Sequence, residues 1–420
     1  MTRSLFLKIH DSLYGDVNFG NELSNLIWSP QIQRLRHIRL SNIDSFEMPG
    51  IANISRYEHS LGTCYLSSRV QLMKTMSRDD ALSFQAAALL HDWDTTPFGH
   101  LIGEALTYVS AGYEHERQLS KIVEDKDVNE FGGLNRQMIY GRQMNIRKWA
   151  THAFGHNNDK AICEISQYMH GKGKYGKLIS SVVDLDNLDN VTRIAYHMGL
   201  PVDRLLPIRV AENMLDVSAE TGVVFGKDAI EYLKEWLIIR HKVYSYLMLS
   251  RTDFAAKAML IQATIWAYQR KIMDRDDWNL IDADFITRLL CSNEKMISET
   301  VKKWISGELW RLSELYWFKI PAPGFKSLLE FNTIISEKLK RECFAYRIID
   351  KRTRKVDMLI DNGENVAIGS KPCMWLLGVA SSKSREFTQR ENKTIVTEAC
   401  RFFDTSVAGD KEYMPLFRQS

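Results

Sequence analysis

The chain has 420 residues, of which 45% are hydrophobic and 25% are charged, so it can bury a large core. This composition excludes an intrinsically disordered protein. The 55 basic and 52 acidic residues leave a formal charge of +3, which excludes a strong overall electrostatic signature of nucleic-acid binding.

The cysteines and the apolar runs indicate the compartment. The six cysteines are scattered and form no CxxC pair, which argues against a zinc ribbon and against a disulfide framework. The first residues lack the apolar segment and cleavage site of a secretory signal. No apolar run reaches the roughly 18 residues that a membrane span needs. We therefore expect a cytoplasmic protein without a membrane segment.

Helices dominate the first part of the chain. Ser55, followed three residues later by Glu58, predicts the start of a helix that runs from 56 to about 76. The segment 80–92 is rich in Ala and Leu and is apolar nearly all round, as in a helix at the centre of a bundle. Pro97 marks the break after that helix.

The pattern changes after residue 320. From 228 to about 315 the sequence is helical and rich in aromatic residues. Two prolines and a glycine at 320–324 predict a turn before another helix at 327–343. The segment 344–363 is typical of two strands joined by a polar, basic turn, and the apolar run 373–380 predicts a third strand.

These patterns predict a mainly α protein with a small C-terminal α+β region. We divide the chain into a core at 1–205, a helical extension at 206–320 that completes this core, and the α+β region at 321–420.

Imidazole and carboxylate groups interrupt the apolar helices. His59 lies three residues after Arg56, so the two side chains share a helix face. His91 and Asp92 end an apolar helix, where their burial is costly without partners. Three aspartates occupy another predicted helix: Asp184, Asp186 and Asp189. Two imidazoles and two carboxylates suit a divalent transition ion, although each residue alone is equally compatible with capping or with a structural role in the core.

Five sequence blocks resemble the HD-domain dNTP triphosphohydrolases, which include the bacterial dGTPases and the vertebrate enzymes that couple a SAM domain to an HD domain. In chain order, and at the family's approximate spacing, the blocks are IHDSLYGDVNF, WSPQIQRLRHIRL, MPGIANISRYEHSLGT, AALLHDWDTTPFGH and ISSVVDLDNLDNVTRIAYHMG. The resemblance implies an HD-domain helical bundle. It also implies hydrolysis of (deoxy)nucleoside triphosphates to nucleoside and triphosphate.

The resemblance also assigns residues to a metal site. Its implied ligands are His59, His91, Asp92 and Asp186. Manganese, magnesium, iron or nickel is the expected ion, and zinc is a further candidate. Arg56 matches an arginine that holds substrate phosphate in the family, with a surface helix residue as the alternative. Arg240, on a later helix, is a second candidate phosphate contact.

Two histidines are candidates for proton transfer. His115, in the segment YEHER, resembles the family's HE pair and is the first candidate. His100, which ends the PFGH block, is the second, and either residue could be structural instead. A histidine with a pKa near neutrality can protonate a departing 5′ oxygen without a large shift. Glu104 is a candidate to orient or assist one of them.

Several positions differ from the family where substrate is bound. Asp94 and Thr95 stand where relatives have a glycine and a histidine or asparagine. Leu40 replaces a glutamine that reads the deoxyribose. Asn187 and Asn190 replace a phosphate-binding lysine and a sugar-stacking tyrosine. The superfamily is therefore better defined than the substrate.

Partners follow from the same resemblance. It implies a nucleotide substrate, a nucleotide effector and a homo-oligomer. Trp28 replaces an aspartate that recognises a guanine activator in the vertebrate enzymes, while Gln33 and Arg36 are retained beside it. Single-stranded nucleic acid is a further candidate partner, because the turn near 351–355 is basic. Two other functions stay open: a phosphodiesterase or nuclease that acts on oligonucleotides, and a non-catalytic nucleotide-binding regulator.

Overall fold

The computed structural model of the chain describes residues 7–41, 47–109, 146–218 and 222–408. Within these residues the chain is mainly α-helical and contains three small sheets. The predicted fold class is confirmed.

The N-terminal half forms a helical bundle preceded by a hairpin. The hairpin pairs β1 (Leu7–Asp11) with β2 (Gly15–Phe19). The helices that follow are α1 (Asn21–Ile27), α2 (Pro30–Arg34), α3 (Arg56–Arg69), α4 (Arg78–Leu90), α5 (His100–Tyr108), α6 (Ile146–Phe154), α7 (Asn158–Met169), α8 (Gly176–Ile179), α9 (Leu185–His197) and α10 (Leu206–Glu212).

Helix α3 begins where predicted but is shorter. The Ser55 hydroxyl accepts a hydrogen bond from the Glu58 backbone N–H at 3.3 Å and caps the helix. The predicted end near residue 76 is wrong, because Val70 takes an extended conformation and buries its side chain in the core. A separate 3₁₀ turn, Gln71–Lys74, follows it.

Helix α4 is the centre of the bundle, as the sequence predicts. Its buried residues lie all round the helix, and it packs against α1, α3 and α7. The helix ends at Leu90, so that His91 becomes its C-terminal cap. His91, a polar residue, therefore lies at the end of the apolar helix at the centre of the bundle.

The helical extension consists of separate helices. These are α11 (Ala229–Leu249), α12 (Arg251–Gln269), α13 (Asp282–Leu290) and α14 (Lys295–Ser306). The break between α11 and α12 falls at Ser250, whose hydroxyl accepts a hydrogen bond from the Asp253 N–H at 3.1 Å. Helix α12 is buried along most of its length.

Two mixed regions complete the chain. The remaining elements are β3 (Met214–Ser218), β4 (Gly222–Phe225), β5 (Arg311–Leu312), β6 (Tyr316–Lys319), α15 (Phe325–Leu339), β7 (Phe344–Ile349), β8 (Val356–Ile360), β9 (Asn365–Ile368), β10 (Met374–Ser381) and α16 (Gln389–Phe402). Strand β10 pairs with β5, β6 and β7, and all three pairings are antiparallel.

The two strands predicted in the segment 344–363 are β7 and β8, but they do not pair with each other. Strand β7 pairs with β10, whereas β8 joins β4 in parallel and β9 in antiparallel. The basic turn between β7 and β8 therefore crosses from one sheet to the other. The reason is tertiary, because β4 lies more than a hundred residues earlier in the chain.

The buried residues form two hydrophobic clusters. One contains the hairpin, the N-terminal bundle and strands β8 and β9. The other contains α5, α12 to α14 and the sheet around β10. Both clusters draw residues from either side of position 320, and the three-part division stays a prediction. Among the described helices, none combines the length and the apolar composition needed to cross a membrane.

Gly62 permits the close approach of α3 and α9. A Cβ at this position would overlap the Asp189 carboxylate and the Arg193 guanidinium, both fully buried. We expect Gly62→Ala to lower the free energy of unfolding by about 1 to 3 kcal/mol, because neither buried group can move freely. Urea denaturation followed by circular dichroism measures this change.

Gly103→Ala is the control for the same substitution in a helix. A Cβ there meets only the Thr96 hydroxyl, at 3.7 Å, so we expect no loss of stability. Equal stabilities of the two variants would contradict the close approach at Gly62.

Candidate metal centre

His59 projects from α3 toward α9 and uses both ring nitrogens. Its Nδ1 lies 2.7 Å from Oδ2 of Asp189, and its Nε2 lies 3.0 Å from Oδ1 of Asp186. Burial opposes a charge on the ring, but hydrogen bonds to Asp186 and Asp189 outweigh it and raise the pKa of His59 to about 10. The surroundings therefore favour a positive charge here, which a proton or a metal ion can supply.

His91 faces His59 from the end of α4. Its Nδ1 donates to the Ala88 carbonyl at 2.8 Å, and its Nε2 lies 3.1 Å from Nε2 of His59. When the Nδ1 atoms of both rings carry the protons, two nitrogen lone pairs face each other. They repel unless a cation lies between them, so the arrangement fits a metal ion.

Two carboxylates complete the set of donors. Oδ1 of Asp186 lies 3.7 Å from Nε2 of His91, while Oδ2 of Asp92 lies 3.6 Å from His91 Nε2 and 3.8 Å from His59 Nε2. Ligand atoms bound about 2.1 Å from one ion are about 3.0 to 3.4 Å apart. His59, His91 and Asp186 have donors 3.0 to 3.7 Å apart, close to this range, and Asp92 lies within 3.8 Å of both imidazoles. His59, His91 and Asp186 form the tightest group, which could hold a metal ion.

Asp92 is held beside this group by two neighbours. Arg56 donates through Nη1 to Oδ2 of Asp92 at 2.6 Å, and the Thr95 hydroxyl donates to Oδ1 at 3.1 Å. Burial opposes ionisation of Asp92, but Arg56 and the imidazoles outweigh it and lower its pKa. Arg56 is buried on the same face of α3 as His59, and its Nε has no partner among the described residues.

The three aspartates near α9 have different positions. Asp184 caps the helix and accepts hydrogen bonds from the N–H groups of Ser181 and Asn187, both at 2.7 Å. Burial and the neighbouring Asp186 carboxylate raise the pKa of Asp184 to about 6. Asp186 alone of the three lies beside both imidazoles, at the position that the family resemblance implies for a metal ligand.

Asp189 lies behind His59 and was not assigned a role from the sequence. It accepts hydrogen bonds from Nε and Nη2 of Arg193, both at 2.9 Å, and from the Tyr14 hydroxyl at 2.8 Å. Arg193 also contacts Glu58 at 2.9 Å and Asp11 at 3.1 Å. This network fixes the orientation of His59.

Sequence spacing gave a signal for only part of this network. Asp189 and Arg193 lie four residues apart and so share a helix face. No local pattern links Tyr14, in the N-terminal hairpin, to α9.

His100 and Glu104 line a cleft that adjoins the metal centre. The cleft has a volume of about 380 Å³ and lies between α5 and β7. His100 is open to the cleft but enclosed by its walls, and this partial removal from water, with the charge of Arg56, lowers the pKa of His100 to about 4. Burial raises the pKa of Glu104, which accepts a hydrogen bond from the Tyr346 hydroxyl at 3.2 Å. His115 lies outside the described residues.

Arg240 is buried on α11. Its guanidinium lies 4.4 Å from the centre of the Tyr244 ring, and its Nε and Nη1 have no hydrogen-bond partner in the described part of the chain. Burial lowers its pKa. Arg240 makes no direct contact with His59, His91, Asp92 or Asp186, so it lies apart from the candidate metal ligands.

Two of the positions that differ from the family, Asn187 and Leu40, are engaged within this protein. Asn187 donates through its amide to Asp184 at 2.9 Å, and Leu40 is buried in the core. Gln33, retained from the effector-binding pattern, accepts a hydrogen bond from Arg36 at 2.7 Å and donates to the Ile27 carbonyl at 2.7 Å. The nucleotide effector stays a prediction.

The chain resembles known proteins in sequence and in fold. No protein-family model matches the chain. The chain is 37% identical over 100 residues to the deoxynucleoside triphosphate triphosphohydrolase SAMHD1 of Bos taurus, which covers 22% of this chain and 17% of that protein. It is 26% identical over 216 residues to SAMHD1 of Gallus gallus, which covers 47% of this chain and 35% of that protein.

A longer match joins the chain to an uncharacterized protein of Methanocaldococcus jannaschii. The two are 27% identical over 297 residues, which are 70% of this chain and 57% of that protein. The matched region thus spans between 17% and 57% of the length of these three curated relatives.

The fold is shared with a solved phosphohydrolase from Bacteroides thetaiotaomicron. The TM-score is 0.63 at 18% sequence identity, and the match covers 90% of this chain and 100% of that chain. This likeness concerns the fold, and the SAMHD1 matches add the sequence relationship. Taken together, they establish that the chain belongs to the HD-domain superfamily, in the branch that resembles the dNTP triphosphohydrolases.

Proposed function

We propose that the chain is a metal-dependent phosphohydrolase that converts nucleoside triphosphates, with deoxynucleoside triphosphates as the leading candidates, to nucleoside and inorganic triphosphate. The convergence of His59, His91 and Asp186, whose donor atoms lie 3.0 to 3.7 Å apart, carries the proposal, and Asp92 Oδ2 lies 3.6 and 3.8 Å from the two imidazoles. The similarity to SAMHD1 supports a nucleotide substrate.

These four side chains would hold one divalent ion: manganese, magnesium, iron or nickel, with zinc as a further candidate. Such an ion supplies a Lewis acid that lowers the pKa of water and neutralises phosphate charge. The Asp186 side chain is 35% exposed, whereas that of His59 is 1% exposed. The site therefore opens to substrate on the Asp186 side and is closed behind His59.

Arg56 would hold a phosphate oxygen beside the ion. Its Nη1 is bound to Asp92 at 2.6 Å, and its buried Nε has no partner within the described residues. A buried guanidinium with an unused donor is costly, and an anion would satisfy that donor. Arg240 is buried and has two nitrogens without a partner among the described residues, so it is a second candidate for a more distant phosphate.

The reaction needs one proton for the leaving group. Water adds to the α-phosphorus, the bond between that phosphorus and the 5′ oxygen breaks, and the departing oxygen takes up a proton. His115 is our first candidate for the donor. His100 is the second, because its lowered pKa leaves it neutral near pH 7 until an anionic phosphate binds beside it and raises that pKa.

An oligonucleotide substrate has less support. Of the four basic residues in the turn near 351–355, three contact groups of this chain and are therefore less available to a nucleic-acid backbone. A purely regulatory role also has less support, because the complete donor set has no evident use in a protein that only binds nucleotide.

An activity assay tests the proposed function. The purified protein with manganese or magnesium is incubated with dNTPs, NTPs and single-stranded oligonucleotides, singly and in pairs, and the products are separated by chromatography. We expect release of inorganic triphosphate, lost on chelation of the metal and reduced at least about a hundredfold in His91→Ala. Shortened oligonucleotides without triphosphate release, or activity that survives chelation, would refute the proposal.

The support behind His59 is tested by Asp189→Asn. We expect manganese affinity to fall about 10- to 100-fold, because the neutral amide neither fixes the orientation of the His59 ring nor supplies the negative charge of the Asp189 carboxylate. Isothermal titration calorimetry measures the affinity, and thermal unfolding reports the loss of the buried pair with Arg193.

The matched control is Asp159→Asn, the same substitution at an exposed position on α7. We expect it to bind manganese like the wild type. If a folded Asp189→Asn protein also bound manganese like the wild type, Asp189 would have no role in the metal centre.

A further inference from the structure

The basic turn between β7 and β8 is held mainly by contacts within the chain. Arg352 is buried, donates to both carboxylate oxygens of Asp350 at 3.0 Å and lies 4.5 Å from the Trp317 ring centre. Arg354 donates to the Val182 carbonyl at 2.8 Å. Lys355 forms an ion pair with Asp357 at 2.6 Å.

Lys351 is the exception. Its side chain is exposed, and its ammonium group has neither an ion pair nor a hydrogen bond among the described residues. Its backbone is nevertheless fixed, because its N–H contacts the Met248 sulfur at 3.4 Å and its neighbours Asp350 and Arg352 form a buried pair. The exposed ammonium group of Lys351 is thus attached to a backbone that its neighbours hold in place.

This cation lies at the cleft between α5 and β7. Lys351 and Arg347 line one wall, and Thr95 and His100 line the other. Thr95 also donates to Asp92 at 3.1 Å, so the cleft begins beside the metal centre. The volume of about 380 Å³ is within the range of small-molecule sites.

The charges of the cleft favour an anion. Glu104 is the carboxylate among the lining residues, and it is engaged by the Tyr346 hydroxyl at 3.2 Å. Arg347 and Lys351 are both cationic, and the N-terminus of α5, at Gly99 and His100, adds positive potential.

The aromatic residues of the cleft offer little stacking surface to a nucleobase. The Arg347 guanidinium covers Phe325 with its centre 4.7 Å from the ring centre. Tyr346 packs edge to face against the buried Phe254 at 5.2 Å. A phosphate chain fits these surroundings better than a base does.

We propose that this cleft binds the phosphates beyond the reacting one, with Lys351 and Arg347 as the residues that contact them. The inference rests on the proposed function and deepens it: the ligand is a polyphosphate chain that extends from the metal centre into the cleft. The C-terminal α+β region thereby contributes directly to substrate binding.

Binding of inorganic tripolyphosphate to the full chain tests this site without any need for turnover. Calorimetry is performed on chelator-treated protein, so that the probe does not compete for metal. We expect Lys351→Gln to weaken binding about tenfold, and Lys351→Arg to retain it, because the cation is preserved. In the hydrolysis assay, Lys351→Gln should raise KM with little change in kcat.

Lys355→Gln is the matched control, since it removes the same charge four residues away from a side chain that is paired with Asp357. We expect wild-type binding of tripolyphosphate within about twofold. Wild-type binding by Lys351→Gln, or an equal loss in Lys355→Gln, would overturn the proposed cleft site.

The two proposals fail in different ways. If no nucleotide is hydrolysed but tripolyphosphate binding depends on Lys351, the proposed function is wrong and the anion site stands. If triphosphate is released while Lys351→Gln keeps wild-type KM and binding, the anion site alone is wrong.

Discussion

A buried ion pair holds the candidate metal centre in place. Asp189 and Arg193 have no exposed surface, and each would be costly in the core without the other. The pair satisfies the inner nitrogen of His59 and leaves its outer nitrogen to the site. It also joins three elements, because α3 supplies His59, α9 supplies the pair, and the N-terminal hairpin supplies Tyr14. The absence of a side chain at Gly62 is the geometric condition for this contact.

The electrostatics of the centre follow from that arrangement. Asp92, Asp186 and Asp189 surround two imidazoles inside the bundle, and the pKa of His59 is raised accordingly. A region with this much negative charge attracts a cation. Arg56 offsets part of this negative charge, which would otherwise repel phosphate. It neutralises Asp92 and lies on the same helix face as His59. One face of α3 thus carries both a candidate metal ligand, His59, and a candidate phosphate contact, Arg56.

The C-terminal region is joined to the N-terminal bundle by structure rather than by sequence proximity. Strand β8 extends the sheet of β3 and β4, while β7 belongs to the sheet around β10. The segment between them therefore passes from one hydrophobic cluster to the other. Its backbone is fixed by the Asp350–Arg352 pair. The same connection that unites the two clusters places a lysine at the cleft beside the metal centre.

The sequence by itself determined the features that depend on local spacing and on resemblance. Capping at Ser55 and the apolar residues of α4 follow from short-range rules, so these helices could be predicted. The identities of His59, His91, Asp92 and Asp186 came from the family pattern, and their proximity agrees with it. The end of α3 at Arg69 was missed because Val70 leaves the helix to fill the core, which is a tertiary effect.

Only the tertiary structure decided the features that depend on partners distant in the chain. Tyr14 and Asp189 are 175 residues apart, and no periodicity links them. The strands on either side of the basic turn are neighbours in sequence, yet β7 pairs with β10 and β8 pairs with β4. In that turn, Lys351 and Arg352 are adjacent basic residues that the sequence alone does not distinguish. Arg352 is buried against Trp317 and paired with Asp350, whereas the Lys351 side chain is exposed, because charge alone does not determine which side chain the fold encloses.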